Sequence, residues 1–486
     1  MRTIIFDLDT VRPDHLGCYG YGRNTSPNID ALAREGTRFT NYYCSDAPCL
    51  PSRAALLTGR FGIHTGAVGH GGTAGDMRLQ GAARGFRDTH IQNGLWSLFR
   101  RAGMYTVSIS SFPERHAAWW FGSHLNEQHN PTGKGGMESA EEVMPTVMNW
   151  LKSNKDRDDW ALHVNLWDAH TPYRVPKEYG NPFENEPLPA WPDDGAIREH
   201  LNYCGPHGLR DMFMYSGGDD SPYPRYPGSV YDAKGVKTLI DGYDCGIRYM
   251  DDKIGEVTAF LKENGLYEDT CVIVTSDHGE NIGELGIYGE HATADQATCR
   301  VPMIIKRKDF LKGQAVDDFH YNVDLCPTLA EMFGLPPYAK WDGISYLETL
   351  KSGRKSGHEY LVLSQCAHTL MRGVRFEKYL YSRVYHDGFH PFPAEMLFDL
   401  EKDPHERDNL AAGRPELCAK GAKLLLEWHT EQMLKSDSQV DPLLTVLAEG
   451  GPMHTRGCLE VFCKRLAETD RGDYAAALRN KHPNGI

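Results

Sequence analysis

The sequence predicts an α/β fold: a mostly parallel sheet sandwiched by helices, with a smaller C-terminal α+β domain. Two observations carry the larger part. Apolar runs of strand length at 3–9, 104–110, 161–167 and 271–275 alternate with longer segments of helical spacing. Such alternation covers both faces of a parallel sheet. The segment 235–262 places Val236, Leu239, Ile240, Tyr243, Ile247, Met250, Ile254 and Val257 on one stripe, the mark of a long amphipathic helix. The smaller domain rests on a third observation. Past residue 360 the alternation gives way to short strands at 360–364 and 376–384 and a helix at Glu416–Met433.

The remaining elements follow in order. Ser26-Pro27 opens a helix with Ile29, Leu32 and Ala33 inward, and Gly36 stops it. Residues 94–102 read as a helix closed by Gly103, and 302–306 as a further strand. Between 174 and 231 the chain is rich in Pro, Gly, Tyr and Asp and nearly aperiodic. An irregular insertion of that length reads as a lid or a substrate wall. The expected divisions are 1–358 for the α/β domain, 359–440 for the α+β subdomain and 441–486 for a helical extension. The extension suggests packing between subunits, so a homo-oligomer is allowed for.

Composition narrows the partners. The net charge of −14, with no Lys/Arg run, argues against nucleic acid. No apolar stretch approaches membrane-span length. Met1-Arg2-Thr3-Ile4-Ile5-Phe6 runs straight into a core strand, without the charged and apolar regions of a signal peptide, and reads as cytoplasmic. Twelve scattered Cys fit a reducing compartment.

Three polar clusters fall at the carboxyl ends of strands, where open α/β sheets bind ligands. Asp9 ends the first strand, His170 follows 161–167, and Asp277-His278-Gly279-Glu280 follows 271–275. Asp9, Asp277 and His278 make sense as ligands of one divalent cation: carboxylates suit hard ions, and the imidazole widens the choice toward manganese or zinc. Asp7 shares a face with Asp9 and reads as a buried, hydrogen-bonded acid in preference to a support for the metal ligands.

Cys49-Leu50-Pro51-Ser52-Arg53 adds a nucleophile. Pro51 suits a first helical position, so Cys49 sits at a helix N-terminus, where free N–H groups favour an anion. Arg53, one turn in, offers a planar charged fork suited to a tetrahedral oxyanion.

That segment, with Thr58-Gly59-Arg60 after it, resembles the signature of the type I sulfatases of the alkaline phosphatase superfamily. The resemblance implies an alkaline-phosphatase-like fold and a sulfuric ester hydrolase. It implies that a formylglycine-generating enzyme oxidises Cys49 to formylglycine, the nucleophile. Asp9-Thr10 and Asp277-His278 match the family's two metal blocks, so Asp9, Thr10, Cys49, Asp277 and His278 would surround the ion, calcium first, with manganese or zinc as alternatives. Many sulfatases have Asp where Thr10 stands and Asn where His278 stands. The leaner set here is similar to choline sulfatases and phosphonate monoester hydrolases. His170 matches a position that contacts sulfate. The family's lysines are absent: Ser111 and Pro113 stand in one block, and Glu290-His291 in the other, where His291 could act as cation or acid. His116 and His70 are weaker substitutes. Leu397-Phe398-Asp399-Leu400 and Asp403-Pro404-His405-Glu406 resemble the C-terminal block.

The expected catalytic set is therefore Cys49, Arg53, His170 and His291, acting on a carbohydrate or aryl sulfate. Trp119, Trp120 and Tyr173 could stack on a sugar. The alternatives are a phosphonate monoester or phosphodiester hydrolase on the same scaffold, a non-catalytic binding protein, and an ordinary Cys-nucleophile hydrolase.

Overall fold

Alternating side chains along Arg2–Leu8 organise the molecule. The computed structural model describes residues 1–79, 85–86, 90–212 and 223–485. In it, Ile4, Phe6 and Leu8 enter one hydrophobic core, and Ile5 enters the other. The first core lies under the helices Ala140–Asn154 and Ala233–Glu263; the second lies under Cys49–Thr58, Leu95–Arg101 and Leu325–Met332. Asp232 caps the long helix, accepting from Gly235 N–H at 2.9 Å.

The large sheet has eight strands in the order Gln314–Val316, Thr37–Phe39, Met303–Lys306, Thr270–Thr275, Arg2–Leu8, Trp160–Leu166, Tyr105–Ile109 and Glu127–His129. It is mostly parallel; Met303–Lys306 runs antiparallel to both neighbours. Register aligns Asp7 with Thr275 and with Asn165, so three strands end at one level.

The second sheet holds Tyr360–Gln365, Leu370–Phe376, Tyr379–His386 and Glu395–Asp399. The run expected as one strand at 376–384 is instead split by a tight turn, with Glu377 at φ 48°. A fifth strand, Asp46–Ala47, pairs with Ser364 and Gln365. The sheet thus reaches back to the residues just before Cys49. The helix after it starts at Cys49 itself, which puts Pro51 third rather than first, and Gly59 ends it at φ 67°.

Among its described residues the insertion carries one short α-helix, Asp194–His200, and the 3-10 turns Lys177–Tyr179 and Leu209–Asp211. Its residues 213–222 lie outside the described residues. Trp120 and Tyr173 are buried in the cores, which corrects their reading as stacking platforms. Among the described residues no helix is long and apolar enough to cross a membrane. The extension forms helices at Pro442–Ala448, Leu459–Glu468 and Gly472–Lys481. It packs on its own chain: Phe389 enters its small core, and Arg471 binds Asp211 at 3.1 and 3.2 Å.

Candidate active site

Donor atoms of Asp9, Cys49, Asp277 and His278 all lie within 4.8 Å of one another, and all four residues are buried. The backbone brings them together by lacing two strand ends. Thr10 sits at φ 65°, a strained value for a β-branched residue. That turn lets Thr10 N–H donate to Asp277 Oδ1 at 3.1 Å while its hydroxyl donates to Asp9 Oδ1 at 2.7 Å. Val11 N–H reaches Ser276 Oγ at 2.9 Å. Ser52 on the Cys49 helix donates to the Asp277 carbonyl at 2.6 Å. Thr10, expected as a ligand, thus has its hydroxyl on Asp9.

His278 Nδ1 lies 2.8 Å from the Gly279 carbonyl and can only donate to it. The neutral ring therefore turns a lone pair on Nε2 toward Cys49 Sγ, 3.0 Å away. Burial holds His278 down to about 4, against the opposing pull of Asp9. Burial, then Asp9 and Asp277, push the Cys49 thiol well above its usual range. An unmodified Cys49 is thus a poor nucleophile, which weighs against an ordinary cysteine hydrolase.

Arg53 does not present its fork to the pocket. Its Nε and Nη2 donate to Asp7 at 2.7 and 3.1 Å, and Nη1 meets Asp277 at 2.5 Å and Asp9 at 3.0 Å. The carboxylates claim it because a buried guanidinium needs all its partners charged or polar. Against desolvation, Arg53 keeps Asp9 down at about 2, whereas burial, with Asp9 and Asp7 beside it, drives Asp277 up. Three carboxylates thus face one guanidinium. Asp9 Oδ2, though near Arg53, is buried without a hydrogen-bond partner. Carboxylate oxygens, an imidazole whose other nitrogen is fixed by a carbonyl, and residue 49 together fit a divalent cation.

Over this base opens a cavity of about 190 Å³. His170 and His291 line it with rings 5.4 Å apart, and the His291 ring is 4.3 Å from that of His278. His170 Nδ1 donates to the Thr171 carbonyl at 2.6 Å; His291 Nδ1 lies 3.6 Å from Glu280 Oε2. Gly289 positions the latter loop: at φ 79° a Cβ there would fall 1.7 Å from Tyr226 Oη.

Sequence reasoning missed Arg115, His368 and His454, all on the cavity wall with His70. Arg115 follows the Ser111 block at the end of the helix Phe112–Arg115, over the Trp167 ring at 5.4 Å. After burial, its charge is the next influence holding His170 well below the ordinary range. Its position so close behind the missing lysine was the available signal. His368 and His454 come from the second sheet and the extension, and no spacing links them to the rest.

The Sulfatase family profile matches residues 3–335 of the chain. The chain is 27% identical over 467 residues to the multifunctional alkaline phosphatase superfamily protein PehA of Trinickia caryophylli, covering 81% of this chain and 87% of that one. It is 25% identical over 496 residues to an N-acetylglucosamine-6-O-sulfatase of Bacteroides thetaiotaomicron, covering 90% and 87%. Its fold is similar to the phosphonate monoester hydrolase of Agrobacterium radiobacter, with a TM-score of 0.66 at 20% identity over 88% and 95% of the chains.

Proposed function

This chain belongs to the sulfatase family, the sulfuric ester hydrolases, and from that premise we propose that it cleaves a carbohydrate or aryl sulfate ester with a formylglycine made from Cys49. The juxtaposition of Cys49 with Asp9, Asp277 and His278 carries the reading. Asp9, Asp277, His278 and residue 49 would hold one divalent cation, which when bound supplies charge to stabilise an oxyanion and acidify a hydroxyl. An aldehyde at residue 49, made by a formylglycine-generating enzyme, supplies on hydration one hydroxyl to attack sulfur and a second to expel sulfate.

The side chains do the rest. Arg53, fixed by Asp7, Asp9 and Asp277, holds the acidic base rigid beneath residue 49. Arg115 faces the cavity and receives the non-bridging oxygens. His170 lines the same wall, and with Nδ1–H spent on the Thr171 carbonyl it would donate to them from Nε2 only as the imidazolium. His291, which burial and His278 hold down at about 4 against the pull of Glu280 at 3.6 Å, gives the proton of its cavity-facing N–H to the leaving alcohol. The cavity's far wall mixes Met212, Phe462 and Leu466 with the histidines, so an alcohol with both apolar and hydroxylated faces suits it.

The second reading, a phosphonate monoester or phosphodiester hydrolase, uses the same residues. The imidazole of His278, standing where many sulfatases carry an amide, favours it. Comparing kcat/KM for sulfate monoesters with that for phosphonate monoesters and phosphodiesters tests the choice. Higher efficiency on sulfate supports the proposal; the reverse order refutes it.

A further inference from the structure

The cavity wall beside the acidic base holds three imidazoles that the proposed reaction does not use; the first of them, His70, has a nitrogen within 4.8 Å of Cys49 Sγ. One donor nitrogen from each of His70, His368 and His454 lies within 4.8 Å of the other two. They come from three distant parts of the chain: the loop after the Cys49 helix, the turn before Leu370–Phe376, and the C-terminal extension.

The convergence is built. His454 N–H donates to the Ala367 carbonyl at 3.1 Å, anchoring the extension beside His368. Gly71 leaves room for it, since a Cβ there would lie 2.4 Å from Met453 Sδ. His368 Nδ1 contacts Glu290 Oε1 at 3.1 Å. That carboxylate accepts a hydrogen bond from Nδ1–H, which leaves the lone pair of the neutral ring on Nε2. His368 is only 9% exposed, and its Nε2 is buried with no hydrogen-bond partner. His70 Nε2 is buried and unpartnered as well, while His70 Nδ1 and His454 Nε2 stand 2.9 Å apart. Orphaned imidazole nitrogens are costly unless something meets them. Three histidines, one oriented from behind by a carboxylate, form a recurring arrangement for a borderline transition-metal dication.

We infer that His70, His368 and His454 bind a second divalent transition-metal ion, zinc by donor chemistry, separate from the site at Asp9 and Asp277. Because all three residues line the cavity, an ion held there would supply a Lewis-acidic contact to a substrate oxygen. Glu290 is a positioning residue, acting through His368. The inference stands apart from the sulfatase reading: it concerns metal uptake, and its failure leaves that reading intact.

The test uses full-length protein stripped with chelator, then equilibrated with zinc and analysed for bound metal. The unsubstituted protein should take up one more tight zinc equivalent than His368→Ala or His454→Ala. Cobalt in place of zinc should give a visible tetrahedral absorption band that both variants lose. Circular dichroism checks that the variants fold. Glu290→Gln, which removes no ligand, should keep the fold and weaken that zinc about 10- to 100-fold. Equal zinc uptake by all three proteins would overturn the inference, as would unchanged affinity in Glu290→Gln.

Discussion

Nε2 of His278 lies 3.0 Å from Sγ of Cys49, while the other nitrogen of the same ring donates to the Gly279 carbonyl. The ring can therefore only accept from residue 49 or share a cation with it. Both options fit a residue that must be changed chemically before it works. With Asp9 and Asp277 alongside, the pair defines the base of the pocket, and consequences follow for each neighbour.

Asp9→Asn and Asp277→Asn should each weaken the divalent ion at this base by about 100-fold or more, because each takes a charge from a site with few ligands. Metal analysis after dialysis against a weak chelator reads this. The protein should remain folded, since Arg53 keeps two of its three carboxylate partners.

Arg115→Ala should lower kcat/KM on a sulfate monoester by about 100-fold, the scale for one removed oxyanion donor in a dry site. Arg115→Lys should restore part of it, since the charge returns without the fork. Steady-state kinetics on both variants distinguishes this from lost packing on Trp167, which lysine would not restore.

Much of this was legible in the sequence because strand ends are marked locally. Asp9, His170 and Asp277-His278 each follow an apolar run, and a parallel sheet aligns such ends by register. The long helix was equally plain from its stripe of Val236 to Val257. What escaped was long-range. Arg53 looked free for the substrate because nothing local says that Asp7, Asp9 and Asp277 all converge on it. The strand Asp46–Ala47 joins the second sheet through residues more than 300 positions away. The extension looked like a subunit contact, yet it delivers His454 to the cavity.

His291→Ala should depress turnover by about 100-fold for esters of poorly acidic alcohols and much less for activated aryl esters, which need no proton on departure. Rates across a leaving-group series measure it. An equal loss on all substrates would assign His291 to binding.

His320 gives a pH prediction away from the pocket. Burial opposes its charge, but Asp318 and Asp324, at 3.3 and 3.4 Å, win and raise it from 6.5 to about 9. A raised histidine stabilises the fold fully below its unfolded value and loses that contribution as pH rises through its folded value. Stability should therefore fall by up to about 3 kcal/mol between about pH 6 and pH 10. His320→Gln should flatten that fall, as denaturant melts at the two pH values would show.

The most direct measurement is the mass of the tryptic peptide spanning residues 39–53 from protein co-expressed with a formylglycine-generating enzyme. It contains both Cys44 and Cys49, so one thiol serves as an internal control. The account predicts that Cys49 alone is lighter by the difference between CH2SH and CHO, that it reacts with a hydrazide, and that sulfate ester turnover tracks the converted fraction. Full turnover from protein whose Cys49 remains a thiol, or from Cys49→Ala, would contradict it.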